Sequence, residues 1–369
     1  MEKSNRIVWA DLLRLIAIVM VISIHCSDPF NVSPEARSNP EYNLWGSIYG
    51  SFLRPCVPLF VMLTGMLLLP VKQEIGEFYH KRMLRVIIPF VIWSLLYNLF
   101  PWFTGILGLN SSVLSVMFPY AGENPSQSFG SCLHNILMIP FNFNTYTVPL
   151  WYIYMLIGLY LYLPFFSVWV KQATKKQVKI FLSIWVLTLF LPYCQEFITS
   201  NIGGVCAWND FGILYYFSGF SGYLFLGHYL KDKIHLSGKA TIALSLVCLV
   251  IGYAVTYYGF RYMTAQQGIT ERQLELFFLY CSPNVLLMTI ALVLVDTEDR
   301  NKIRRYHLCI GKYHEMRVRH LHDTLFHCWN RLFGDRQNRC PCLYAHSGYC
   351  AVRVCCFMGC RFITLQGMS

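Results

Sequence analysis

The chain has 369 residues, of which 55% are hydrophobic, 16% aromatic and 13% charged. Soluble domains carry about 25% charged residues, and no single soluble core of this size hides so much apolar surface behind so few charges; a soluble enzyme, a secreted disulfide scaffold and a disordered hub are excluded. The net charge of +11 is uneven, with 19 Lys+Arg against 16 Asp+Glu in residues 1–300 and 11 against 3 in residues 301–369, and the positive charge of the first part lies in short loops between apolar runs, which is not a nucleic-acid footprint.

Apolar runs of about 20 residues predict an all-α polytopic membrane bundle of about eight spans, at 7–27, 48–70, 84–104, 149–170, 178–195, 211–230, 240–260 and 275–295. The first run follows a short basic start, but no small-x-small cleavage site follows it. It also contains Asp11, Arg14 and His25, which the apolar stretch of a signal peptide would not carry, so it reads as a spanning helix.

Charges inside spans are costly, which makes these three residues functional candidates. Arg14 and His25 are eleven residues apart. At about 100° per residue this returns to within about 20° of the same face, roughly 16 Å further along the axis. Asp11 precedes Arg14 by three and joins that face. Such a stripe suits one wall of a polar channel. His25 is a natural proton acceptor near neutral pH, Arg14 a fixed fork for phosphate or carbonyl oxygens, and Asp11 a holder for Arg14. The bland reading is an interfacial Asp–Arg pair and a lone interfacial histidine.

Further along, Arg54 sits at the outer edge of the second span, in Arg54-Pro-Cys-Val-Pro-Leu-Phe. It reads either as a snorkelling anchor or as a substrate or oxyanion contact near His25. Pro58 and Gly65 are expected to kink or thin this helix and to admit close neighbours. Arg82 and Arg85 open the third span. Their ordinary explanation is topological, and the functional one is binding of an anionic cytosolic ligand. The outer loop 105–147 has no Lys or Arg. Its stretches Ser112–Tyr120 and Cys132–Phe143 are too short to span and read as interfacial or re-entrant. Trp151, Tyr152, Tyr154, Tyr160 and Tyr162 crowd the fourth span, as belt and packing residues or as a stacking platform for a sugar.

The loops test the count. With the N-terminus cytoplasmic, fourteen Lys and Arg fall inside, including Lys3, Arg6, Lys72, Lys81, Lys171, Lys175, Lys231, Lys233 and Arg300. Only Arg37, Arg261 and Arg272 fall outside, and the bias alternates at every loop. Seven cysteines scattered through these 300 residues read as packing residues rather than a disulfide framework.

The chain therefore divides into a membrane domain, 1–300, and an atypical tail, 301–369, which holds 8 of the 15 Cys and 6 of the 11 His. A zinc site is one reading of the tail, but it lacks a paired C-x-x-C or H-x-x-x-H of the usual sort, and no metal is expected. The preferred reading is a reading frame that slips near residue 313, so that codons for apolar spans are read out of register.

The motif set resembles the acyltransferase-3 family of bacterial membrane O-acyltransferases. Asp11-Leu-Leu-Arg14-Leu-Ile-Ala17 followed by His25 resembles the family's opening Arg-x10-His signature. Val57-Pro-Leu-Phe60 with Gly65 resembles its second-helix motif, and Arg82-x-x-Arg85 its Arg-x-x-Arg motif. Leu150-Trp-Tyr with Gly158, Tyr160 and Pro164 resembles its fourth-helix block, and Phe217-Ser-Gly with Gly222, Tyr223 and Gly227 a later glycine-aromatic block. The resemblance runs from about residue 7 to 313. It implies about ten helices, the last two falling in the tail, and Ile310-Gly-Lys-Tyr313 resembles the start of the next one.

What the resemblance implies is an O-acetyltransferase of the bacterial cytoplasmic membrane. It would move an acyl group, usually acetyl, from acyl-CoA to a hydroxyl of a cell-surface polysaccharide or lipid-linked sugar. Asp11, Arg14 and His25 would be catalytic. Arg82 and Arg85 would hold the cofactor phosphates, and Arg54, Trp151, Tyr152 and Tyr160 would line the substrate site. The competing class is a transporter or flippase for a lipid-linked sugar or small anion, using the same charges as a relay. Against it, the sequence has no inverted repeat, and its intramembrane charges concentrate on one helix.

Overall fold

The computed structural model describes residues 8–27, 39–108, 126–199, 211–231 and 238–295, with residues 31, 118, 121 and 202. The tail 301–369, most of Ser112–Tyr120, and Lys3, Arg6, Arg37, Lys233 and Arg300 lie outside the described residues. Among those described, every regular element is a helix.

Helix α1 (Val8–Ser27) buries Ala10, Leu13, Ala17, Val21 and Ile24 and turns Leu12, Leu15 and Val19 outward. The second span starts earlier than expected and comes in two pieces, α2 (Pro40–Leu53) and α3 (Cys56–Leu68). Asn39 caps α2 by accepting from Glu41 N at 2.9 Å. The break falls at Arg54 and Pro55, where proline removes a helical donor. Pro58 does not kink the helix as expected. It lies in the first turn of α3, where its missing N–H has no helical partner to lose. Helix α3 is the centre of the bundle, buried at nearly every position from Cys56 to Met66.

After an inner loop, a single turn (Ile75–Phe78) and a π-helical turn (Tyr79–Met83) lead into α4 (Leu84–Ile106), which buries Ser94 and Asn98. Between α4 and the next span α5 (Phe129–Leu137) has nine residues. That is about 14 Å of helix, too short to cross about 30 Å of hydrocarbon. It buries Cys132 and exposes Phe129, Leu133 and Leu137, the placement expected of an interfacial segment. Then follow α6 (Trp151–Gln172), α7 (Lys175–Thr188), α8 (Leu191–Phe197), α9 (Ser221–Lys231), α10 (Gly238–Thr264) and α11 (283–295).

Seven helical stretches among the described residues are long and apolar enough to cross a membrane. They coincide with seven of the eight expected spans. The remaining one, 211–230, is not a continuous helix. A 3-10 stretch (Gly212–Phe217) and a bend at Gly219, whose φ is +88°, precede α9. Eleven residues rise about 16 Å, half of the hydrocarbon thickness.

Short as it is, α9 is packed most closely of all. A Cβ at Gly65 would overlap Leu224 O, and one at Gly227 would overlap Met62 O, so the backbones of α3 and α9 touch directly. His228 Nδ1 lies 3.2 Å from Leu69 O, pairing the two C-terminal ends. The helices therefore run the same way, as the eight-traverse topology requires of the second and sixth passages.

Polarity is inverted relative to a soluble core. Ser47, Ser51, Asn98, Ser167, Thr188, Thr256, Asn284 and Thr289 are buried, while Ile88, Ile92, Leu96, Leu161, Leu187, Leu246 and Val250 face outward. Lipid accepts the apolar surface, and most of these polar groups find partners inside, Ser51 Oγ being an exception.

Candidate active site

The residues singled out in the sequence divide into two groups, one at each end of the bundle. The inner group gathers on α1, α6 and the start of α4. Arg14 Nη1 donates to Asp11 Oδ1 at 2.8 Å, so the expected pair forms. Both side chains are partly exposed, at 22% and 38%. The buried face of α1 runs through Leu13, Ala17 and Ile24; Arg14 and His25 are half-buried on one shoulder of it. Their shared direction lies between the core and the lipid-facing positions Leu12, Leu15 and Val19.

Tyr160 of α6 belongs to the same group. It is 1% exposed, and its hydroxyl lies within electrostatic reach of both Arg82 and Arg14. Phe78 meets the Tyr160 ring edge-on at 6.2 Å between centroids. The Tyr79 hydroxyl donates to Leu161 O at 2.8 Å and ties the π-helical turn to α6. That wide turn changes the rotational register of the chain. Arg82 is half-buried, while Arg85 is exposed. Arg14 and Arg82 thus place two positive charges at this end of the bundle, a combination that suits anionic oxygens.

At the other end, His25 lies in the last turn of α1. Beyond it, Asn31 packs against Gly50 of α2, where a Cβ would come within 2.7 Å of Asn31 Nδ2. This brings the outer end of α1 to the part of α2 that leads into Arg54. Arg54 is buried, with its guanidinium 3.9 Å from the centroid of the Phe278 ring. Trp151 and Tyr152 also belong to this end. Trp151 stacks on Tyr280 at 5.6 Å and lies beside Phe220 at 6.3 Å, and Tyr152 lies 6.1 Å from Phe60. The Tyr223 hydroxyl fixes this cluster by donating to Tyr280 O at 2.7 Å.

Tyr160 therefore does not share a platform with Trp151 and Tyr152, as expected from the sequence. Nine residues of helix, about 13 Å, separate it from Trp151. Of the other aromatic residues of α6, Tyr154 donates to Ile139 O at 2.7 Å. Tyr162 is exposed and stacks on Phe166, a lipid-facing belt pair.

The sequence did not single out Phe278, Phe220, Tyr280 or Tyr79. Their partners are far along the chain, and no local spacing marks them. Among the described residues no group of three or more His, Cys, Asp or Glu could hold a metal ion. The described cysteines are all free thiols.

A family model described as an acyltransferase domain matches residues 7–311. No curated protein and no solved structure matches the chain.

Proposed function

Because the chain belongs to the acyltransferase-3 family, and is thus a membrane acyltransferase, we propose that it carries an acetyl group from cytosolic acetyl-CoA to a hydroxyl of a cell-surface polysaccharide or lipid-linked sugar. It does so in a bacterial cytoplasmic membrane, with its N-terminus in the cytoplasm. The observation that carries this reading is the family match together with the intramembrane stripe of α1, where Arg14 is paired with Asp11 and His25 lies eleven residues further along the same side.

The donor's phosphates sit at the inner end on Arg82 and Arg85, where guanidinium forks suit anions. The pantetheine arm extends past Arg14 and Tyr160 along α1, over the roughly 16 Å to His25. There His25 takes the proton of the acceptor hydroxyl as its oxygen attacks the thioester carbonyl. Arg14 supplies positive charge along the path of the donor, and Asp11 holds it. The carbon–sulfur bond breaks as the ester forms, and the proton passes to the departing thiolate. Trp151 and Tyr152 offer ring faces to a sugar at the outer end. The family match favours this transferase over a transporter or flippase using the same charges.

The test is label transfer. The intact protein is reconstituted in vesicles with labelled acetyl-CoA on the cytoplasmic side and polysaccharide acceptor on the other. Label is expected in the polysaccharide, and His25→Ala is expected to lower it at least a hundredfold while inserting normally. Near-normal acylation by that variant would remove His25 from the chemistry.

A further inference from the structure

Arg54 is the one buried cation among the described residues, at 8% exposure. The break between α2 and α3 puts it there, one residue before Pro55. The guanidinium lies over Phe278, and Phe260 of α10 stacks behind that ring at 4.0 Å. Two aromatic rings thus back one face of the cation. A ring face replaces part of the lost hydration, but it accepts none of the in-plane N–H bonds of the guanidinium. Its Nε is buried without a hydrogen-bond partner. Among the described residues no carboxylate pairs with Arg54. Ionisable side chains inside membrane proteins commonly mark a ligand or ion path, because an uncompensated buried charge is costly to keep.

We infer that Arg54 and Phe278 form a binding site for an oxyanion, and that the acceptor of acyl transfer carries one. The ligand is a carboxylate or phosphate, which matches the planar fork of donors. Arg54 lies at the outer end, where the acceptor enters, so the acid group belongs to the acceptor and not to the coenzyme. It is either the carboxylate of an acidic sugar or the phosphate of a lipid carrier. This inference rests on the transferase reading for the identity of the ligand.

The full chain in lipid nanodiscs is titrated with glucuronate, with a polyprenyl phosphate and with glucose, without coenzyme, and its thermal unfolding midpoint is followed. One of the two anions is expected to raise the midpoint saturably while glucose does not, and the anion that acts identifies the source. Arg54→Gln is expected to weaken that binding at least tenfold. Arg261→Gln, which removes an exposed charge at the same end, is expected to leave it within twofold. If neither anion binds, if glucose binds equally well, or if Arg54→Gln keeps the affinity, the inference is overturned. Should Arg54→Gln not fold, Phe278→Leu keeps the charge and removes the ring. It is expected to weaken binding several-fold, and unchanged affinity would overturn the proposal equally. Binding is read without acyl transfer, so loss of one reading leaves the other standing.

Discussion

Arg14 sits on a shoulder of α1, with Asp11 as its ion-pair partner at 2.8 Å. A partly exposed pair of this kind stabilises by at most about 1 kcal/mol, so stability does not explain its presence. The two roles separate in a double variant. Arg14→Ala is expected to reduce acyl transfer at least a hundredfold and lower the unfolding midpoint only slightly. Adding Asp11→Asn removes the stranded carboxylate and is expected to restore the midpoint without restoring transfer. Recovery of transfer in the double variant would show that Arg14 serves only to neutralise Asp11. The charge itself was legible in the sequence, because an ionisable residue in an apolar run stands out. That Arg14 and Arg82 both act electrostatically on Tyr160 was not, because this joins positions nearly 150 residues apart.

Among the elements, the pair α3 and α9 carries the closest approach in the bundle. Gly65→Ala and Gly227→Ala each place a methyl against a carbonyl oxygen of the facing helix, and neither backbone can give way without separating the helices. Each is expected to lose about 1–3 kcal/mol, the usual range for overpacking, read as a lower unfolding midpoint in mild detergent. Gly158→Ala meets no atom within 4 Å and is expected to leave the midpoint unchanged. Equal midpoints in all three variants would contradict direct backbone contact.

Helix α5 makes a second case. Cys132 is fully buried and its thiol donates to Asn98 O at 3.4 Å, while Gln127 Nε2 donates to the same oxygen and Asn144 Nδ2 to Asn98 Oδ1 at 2.9 Å. Burial pushes the Cys132 thiol above its ordinary pKa, so the reactive thiolate stays scarce at pH 8. Maleimide is expected to label it slowly in the native protein and rapidly in dodecyl sulfate. Rapid native labelling would mean that α5 is not held on α4. The shortness of this segment was readable from its composition. Its anchor was not, because Asn98 lies mid-span and gives no local signal of its partners.

At the scale of the whole molecule, burial of Ser, Thr and Asn beneath an apolar exterior is the signature of a bundle solvated by lipid. The parallel course of α3 and α9 supports eight passages even though α9 alone is too short to make one. In a cysteine-free background, an impermeant maleimide on intact cells is expected to label Gln267→Cys and not Lys175→Cys. The reverse pattern would invert the topology. The family match ends at residue 311, close to Lys312 and Tyr313, where the apolar periodicity stops. Translation of the gene in its two other frames beyond this point is expected to restore apolar spans in one of them, and two frames without one would dispose of the frame slip.

Run length, the Lys and Arg asymmetry and the rare charges within spans determined, from the sequence alone, the membrane class, the helical architecture and most of the candidate residues. These signals are local, since each follows from the energy of one segment against lipid. Rotation and depth of each helix were left to the tertiary structure. It split the 211–230 passage, wound the π-helical turn at Tyr79–Met83, separated Tyr160 from Trp151, and laid Arg54 on a ring more than 220 residues away. The reason is physical. In water an amphipathic helix writes its buried face in its sequence, but in a bilayer lipid and core are both apolar. The face that packs is then chosen by small residues and distant partners, which only the assembled bundle brings together.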